Sequence, residues 1–458
     1  MKKILLASTA LVAASLIGSG AAEAADKIKI NVGGFSKWWV VGVWNSSDYQ
    51  GAVTQTLQSG NPNPAIERRP SFVNADVKGD NEIWFSGDTT LDNGLKVGVF
   101  VSLEAGGHSD STTDNIDSSY AWIAGGFGKV LLGTAPNGTA LLHVQAPDAA
   151  SNWGAGGILT GNFAVSRPAT VMGQGQRAGW SSSTNTTQIV DDNKAEKITY
   201  VAPTFYGLTA GASYVPSVLR EDTRVTPNQA SGYGAGALYA ETFGPVGVKV
   251  SAGFVYVDLD SATASNESSL AIQSYGAQLS YAGFTLGGSA KLTDDNYKSN
   301  GTGSAGGRWN GAVTAGNNNG NIGNAAIGGT NYASTGVFIN GGALAPKCVA
   351  TNGCSYGGSA YDVGLQYATG PYAVSFDYFW SGTKGASTAK KGALDEITFY
   401  QASGKYNVGP GVDFLASAGW ADYRDQRKGQ GVTAGGLSAD KGLENSGFVV
   451  MSGLSLAF

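Results

Sequence analysis

Scarcity defines this chain first: two cysteines, two histidines, and charged side chains at only 14% of 458 residues. The histidines, His108 and His143, are widely separated and form no recognisable zinc set with Cys348 and Cys354. No metal site and no cofactor is implied. There is no nucleophile elbow and no twelve-position calcium loop, so a hydrolase or a calcium-loop protein finds no support. Basic excess is also missing: the net charge is -5, which argues against nucleic acid as a partner. Beyond the N-terminus no stretch approaches the roughly 18 apolar residues of a membrane helix. Glycine is abundant, yet it lacks the strict every-third-residue period of collagen.

Residues 1–24 read as an export signal. Lys2 and Lys3 supply positive charge, Ile4 to Ile17 is almost wholly apolar, and Ala22-Glu23-Ala24 offers the small-x-small site of a signal peptidase. Cleavage is expected after Ala24, with the next bond as the rival, leaving 25–458 as one barrel domain. Export places the two cysteines in an oxidising compartment. Cys348 and Cys354, in one Gly/Asn/Ser-rich stretch, are positioned there for a small disulfide loop.

The remainder is rich in glycine (69 residues) and aromatics (20 Tyr, 17 Phe, 10 Trp), a mixture that disfavours helices and suits strands with one lipid face and one wet face. The final segment shows the pattern plainly. Phe448, Val450, Leu454, Leu456 and Phe458 fall on one side with Ser452, while Gly447, Gly453, Ser455 and Ala457 fall on the other. Leu95, Val97, Val99, Val101 and Leu103 likewise alternate with Lys96, Gly98, Phe100, Ser102 and Glu104. Aromatics such as Trp38-Trp39, Trp44, Trp84-Phe85, Tyr120, Trp122, Phe205-Tyr206 and Phe379-Trp380 lie near expected strand ends, where headgroup-level girdles are expected.

Sixteen such segments can be counted from 28–44 to 446–458, separated alternately by tight Gly/Pro/Asn turns and by long connections, notably 45–80, 134–194, 294–357 and 424–445. The expected fold is all-β: a transmembrane antiparallel β-barrel of 16 strands. Residues 70–80 also alternate and are assigned to the first connection or beside it, so 18 strands remain an alternative. Hydrated acids in the loops, among them Asp110, Asp114 and Asp258, are expected to be surface charge.

Three stretches carry a resemblance. Asn81 to Val99 resembles the early hairpin of Gram-negative general porins, particularly alphaproteobacterial ones. Tyr120 to Gly133 looks like the porin segment that leads into an inward-folded third loop. Ile198 to Tyr214 is a third match, and Phe458 resembles the family's terminal assembly signal. The resemblance implies an outer-membrane diffusion channel of a Gram-negative bacterium, usually homotrimeric, passing small hydrophilic solutes and ions. It also implies contact with outer-membrane lipid and lipopolysaccharide, and with periplasmic chaperones and the barrel-assembly machinery.

In such channels acids on the third loop face bases on the wall. Here the match is partial: Asp148 is the only acid from 134 to 190, with Arg167 and Arg177 in the same connection. Candidate wall bases are Lys96 and Lys129 first, then Lys37 and Lys249, with Arg68 and Arg69 near the first connection. The acid-poor loop speaks against strong cation selectivity. The nearest alternative is a solute-selective porin for a sugar or anion; a structural or adhesive barrel is a further one.

Overall fold

A computed structural model describes residues 27–52, 73–105, 116–153, 165–168, 171, 186–189, 195–216, 231–259, 268–297, 338–339, 342–343, 357–384, 393–426, 428, 433–434, 437–438 and 443–458. The export segment, Arg68, Arg69, Arg177, Cys348 and Cys354 lie outside the described residues.

Sixteen strands close into one antiparallel barrel. They are β1 (Lys29–Asn45), β2 (Ala75–Thr90), β3 (Lys96–Glu104), β4 (Ile116–Gly125), β5 (Gly128–Gly133), β6 (Lys197–Val201), β7 (Leu208–Val215) and β8 (Ser231–Phe243), followed by β9 (Val246–Leu259), β10 (Ser268–Tyr281), β11 (Phe284–Tyr297), β12 (Gly358–Thr369), β13 (Tyr372–Lys384), β14 (Leu394–Gly409), β15 (Val412–Arg424) and β16 (Glu444–Ala457). Two-residue pairs at 338–339 with 342–343 and 433–434 with 437–438 belong to long connections. Short helices α1 (Ser47–Ala52) and α2 (Gly138–Leu141) complete the described elements. No helix among them is long and apolar enough to cross a membrane.

All sixteen expected segments become strands, and the sixteen-stranded count holds. Residues 75–80 are a correction: they are the start of β2, paired in continuous register with β1 from Gly42↔Ala75 to Lys37↔Asp80. Nothing between Ala75 and Thr90 breaks the ladder, so the alternation at 75–80 is neither loop nor an additional strand.

Each strand pairs with its sequence neighbours, and β16 returns to β1 through Phe35↔Ala457 to Asn45↔Gly447. Phe458 adds the last pair of bonds to this ladder. Phe458 N–H donates to the Gly34 carbonyl at 3.1 Å, and Gly34 N–H donates to the Phe458 carbonyl at 3.0 Å. Closure leaves no open edge to lipid, which offers backbone groups no partners.

Tight turns gather at one end of the barrel. Ala282-Gly283 and Tyr206-Gly207 both take positive φ (49° and 87°; 46° and 80°), the backbone that matches a two-residue turn to strand twist. Long connections gather at the other end, the asymmetry of outer-membrane barrels.

Alternation divides the wall into two faces. Val32, Val40, Val250, Phe254, Leu286, Leu365, Phe376 and Phe448 are exposed on the outer face. Their strand neighbours turn inward. The adjacent aromatic pairs therefore split: Trp38 is exposed while Trp39 is 1% exposed, and Phe379 is likewise buried at 1%. This corrects the girdle assignment for Trp39, Phe379, Trp84, Tyr120 and Trp122, all of which share the inner face. Phe205 and Tyr206, at the turn end, are exposed.

Candidate functional site: the third connection and the inner wall

β5 and β6 have only six and five residues, so the chain leaves the wall early after Gly133 and rejoins it at Lys197. Lys197 is buried at 2% exposure and ties the two ends of this connection together. Its ammonium donates to the carbonyls of Ala135 (2.8 Å) and Ala195 (2.7 Å). Asn137 caps α2, accepting from Ala140 N–H, and its amide donates to the Ile189 carbonyl.

From there the connection is hydrogen-bonded to inward side chains of successive strands. Gly138 N–H donates to Ser213 on β7 (2.8 Å), and Val144 N–H to Ser251 on β9 (2.9 Å). Gln278 on β10 donates to the Gln145 carbonyl (2.6 Å). Ala149 N–H donates to Ser375 on β13 (3.0 Å), and the Asn152 amide to Ser417 on β15 (2.9 Å). Asn445 on β16 donates to the Ser166 carbonyl (2.6 Å).

A track of missing side chains accommodates this backbone. Gly211, Gly236 and Gly253 are in direct register on β7, β8 and β9, and Gly287 is in register with Gly364 on β11 and β12. A Cβ on Gly236 would stand 3.0 Å from the Thr139 Cα, and one on Gly276 would overlap the Val144 carbonyl oxygen. The connection is therefore packed against bare main chain, at a separation only glycine allows.

Asp362 on β12 is the hub of the contact. Its carboxylate accepts from Ala146 N–H (3.2 Å), the Ser289 hydroxyl (2.6 Å), the Trp153 indole (3.4 Å) and the Thr187 hydroxyl (3.2 Å). One side chain thereby holds the outgoing and the returning limbs. Around it an apolar cluster joins Trp153, Val165 and Ala150 of the connection to Trp39, Phe379, Phe399, Leu415, Tyr423 and Met451 of the wall. Trp153 meets the Phe379 ring edge-on at 6.3 Å.

The residues singled out from sequence fall in different places. Asp148 accepts from Ala150 N–H, from Asn152 N–H and from the Ser375 hydroxyl, so its carboxylate organises the bend at 148–152 as well as carrying charge. Arg167 is buried at 2% exposure, and burial lowers its guanidinium's pKa against the opposing influence of Tyr423 and Asp395. His143 is pushed down to about 4 by burial and then by the charge of Lys291, and its ring nitrogen contacts the Thr187 hydroxyl. It is neutral near pH 7. Lys96 opens β3 and is half-buried. Lys129 lies on the inner face with its ammonium 4.1 Å from the Trp122 ring centroid.

The inward residues of β2 to β4 and of the first half of β1 are less buried than those of β12 to β16. Their charges are mixed: Lys37, Lys78 and Lys96 share the inward face with Asp80, Glu82 and Glu104, and Glu82 is the acid that the sequence reading did not single out. Glu82 stands in register with Glu104, and its electrostatic neighbours are Asp117, Glu104, Asp80 and Lys37. Lys37 pairs with Asp80 at 3.6 Å. The signal was present in the alternation, since Glu82 and Glu104 share the inward set with Trp84 and Ser102. Among the described residues no group of His, Cys, Asp and Glu could hold a metal.

Several solved structures share the fold. An anion-selective porin from Comamonas acidovorans superposes with a TM-score of 0.51 at 16% identity, covering 94% of this chain and 100% of that one. The outer membrane channel DcaP of Acinetobacter baumannii gives 0.52 at 12% identity, covering 96% and 100%. A loop-deletion mutant of OmpT, an outer membrane protein of Vibrio cholerae, gives 0.51 at 10% identity, covering 94% and 99%. No curated protein matches the sequence. Residues 7–426 match the sequence model of the Gram-negative porins. With its closed sixteen-stranded barrel and apolar outer face, the chain belongs to the Gram-negative porin family, as an integral outer-membrane β-barrel and diffusion channel.

Proposed function

We propose that the third connection occupies the lumen and sets its width, and that small hydrophilic solutes and ions pass beside it along the wall of β1 to β5. The observation that carries this reading is the run of hydrogen bonds from residues 138–152 to inward side chains on β7, β9, β10, β12, β13 and β15. Passage requires no energy source and no catalytic step, because a polar lumen keeps water continuous across the membrane. Residues 1–24 are removed on export in this reading. The mature barrel meets outer-membrane lipid, lipopolysaccharide, periplasmic chaperones and the assembly machinery on its way to the membrane.

Selectivity follows from fixed charge at the narrowest point. Asp148→Asn removes the carboxylate at the centre of the connection with little change in volume. Cation permeability is expected to fall relative to anion permeability, by an amount that shrinks as salt rises and screening shortens. The reversal potential across a low-salt gradient measures it. An unchanged potential assigns ion selection to the charges of the β1 to β4 wall instead.

A homotrimer of independent pores is the assembly proposed, with outer-face aromatics and small residues supplying the contacts. Crosslinking in native detergent is expected to end at three subunits. A ladder that stops at one contradicts the assembly without touching the channel.

A further inference from the structure

On an inward face that stays partly accessible, five aromatic side chains line up across four adjacent strands. They are Phe35 on β1, Trp84 on β2, Phe100 on β3, and Tyr120 and Trp122 on β4, all of them partly accessible. Register makes them neighbours: Trp84 stands opposite Gly33, Phe100 opposite Tyr120, and Trp122 opposite Gly98. The two glycines matter. A Cβ on Gly33 would lie 2.5 Å from the Trp84 indole nitrogen, and a Cβ on Gly98 would overlap the Trp122 ring. Both indoles therefore lie against the main chain, at a separation that only glycine allows. Phe100 and Tyr120 are stacked with centroids 5.2 Å apart, and Phe35 lies 6.2 Å from Trp84.

Two rings in this row already hold an ammonium of the chain itself. Lys37 sits 4.6 Å from the Phe35 centroid and Lys129 sits 4.1 Å from that of Trp122. Carboxylates lie beside the row as well: Glu82 pairs in register with both Phe35 and Glu104, with Asp80 and Asp117 as electrostatic neighbours. A π-face attracts a cation, and a nearby carboxylate adds to that attraction. Neither group favours a simple anion.

We propose that this aromatic row is a weak binding strip for organic cations, that is, solutes that combine an ammonium with an apolar or aromatic body. The body lies on the faces of Trp84 and the Phe100–Tyr120 pair while the ammonium is held between the rings and Glu82 or Glu104. The inference rests on the reading that the β1 to β4 wall borders the permeation path. Weak binding suits a channel, because a solute must leave the strip as readily as it enters. Affinity in the millimolar range corresponds to about 4 kcal/mol, a scale that one or two cation–π contacts and a screened carboxylate can supply.

Benzyltrimethylammonium, with benzyl alcohol, tetramethylammonium and maltotriose as comparison solutes, tests the proposal in single-channel recordings of the full protein. Benzyltrimethylammonium is expected to interrupt the current saturably, and more effectively than either half-molecule. Trp84→Ala is expected to weaken that block about fivefold, the factor that corresponds to the loss of a cation–π contact of about 1 kcal/mol. Glu82→Gln weakens it in the same direction and leaves the ring row in place, so the test stands even where Trp84→Ala does not fold. Equal block in wild type and both variants overturns the strip, as does block by maltotriose alone, which assigns the rings to sugar. A channel that conducts but is blocked by none of the solutes also overturns the strip and leaves the channel reading intact. A protein that never conducts overturns the channel reading itself.

Discussion

Replacing Asp362 with alanine is expected to release the third connection from the wall. Four donors converge on this carboxylate, three of them from separate points of the connection, at Ala146, Trp153 and Thr187. Each buried donor left without its acceptor costs about 1–3 kcal/mol unless the limb moves to water. The donors share one acceptor, so their losses are coupled and do not add. A net change of about 3 kcal/mol would raise the undocked population roughly a hundredfold. Single-channel recordings are expected to show larger mean conductance, frequent transitions between levels, and passage of larger sugars in liposome swelling. Asp362→Asn should fall between the two, because its amide oxygen still accepts from Ala146 and Ser289 while its NH2 faces the Trp153 and Thr187 donors. Quiet, wild-type currents from a folded Asp362→Ala protein would place the hold on the connection elsewhere, with the glycine track and the Trp153 cluster as the remaining candidates.

Gly34→Val is expected to impair closure of the barrel. A Cβ at this position would stand 2.5 Å from the Glu82 carbonyl oxygen and 2.7 Å from the Phe458 ring. One neighbour is the backbone of β2 and cannot give way. The other belongs to the residue whose main chain exchanges two bonds with Gly34 at the end of the closing ladder. Relief requires β1 to move away from β2 or from the end of β16, and either movement opens an edge to lipid. Overpacking of this kind costs about 1–3 kcal/mol in a well-packed core. The expected result is a lower yield of the compact, heat-modifiable form on gel electrophoresis and a lower unfolding temperature. Phe458→Leu, which keeps the main-chain pair and an apolar side chain, is expected to be milder. Wild-type folding of Gly34→Val would contradict the closing role given to this contact.

The barrel was legible because its instructions are local. Val97, Val99 and Val101 against Lys96, Gly98 and Ser102 report a two-faced strand without reference to anything distant, and Gly-rich turns mark where each strand stops. Residues 75–80 were misassigned because their alternation carries charge on Asp76, Lys78 and Asp80, which looks like loop until the pairing with Val41, Trp39 and Lys37 is known. Aromatic pairs such as Trp38-Trp39 were read as one girdle, although neighbouring residues of a strand must point to opposite faces. The contacts of the third connection were the least legible part. Asp362 sits 216 residues from Ala146 and 175 from Thr187, and nothing local distinguishes it from any inward acid. The glycine track is visible only after six strands are placed in register. Lys197 and the row from Phe35 to Trp122 were missed for the same reason: their meaning lies in neighbours across the sheet.

Conductance in a planar lipid bilayer tests the central claim most directly. The purified, folded protein is expected to insert as a large, ohmic channel whose conductance follows the bulk conductivity of the salt, with uptake of small sugars into liposomes that needs neither ATP nor a proton gradient. A folded barrel that inserts and never conducts would contradict the assignment of this chain as a diffusion channel.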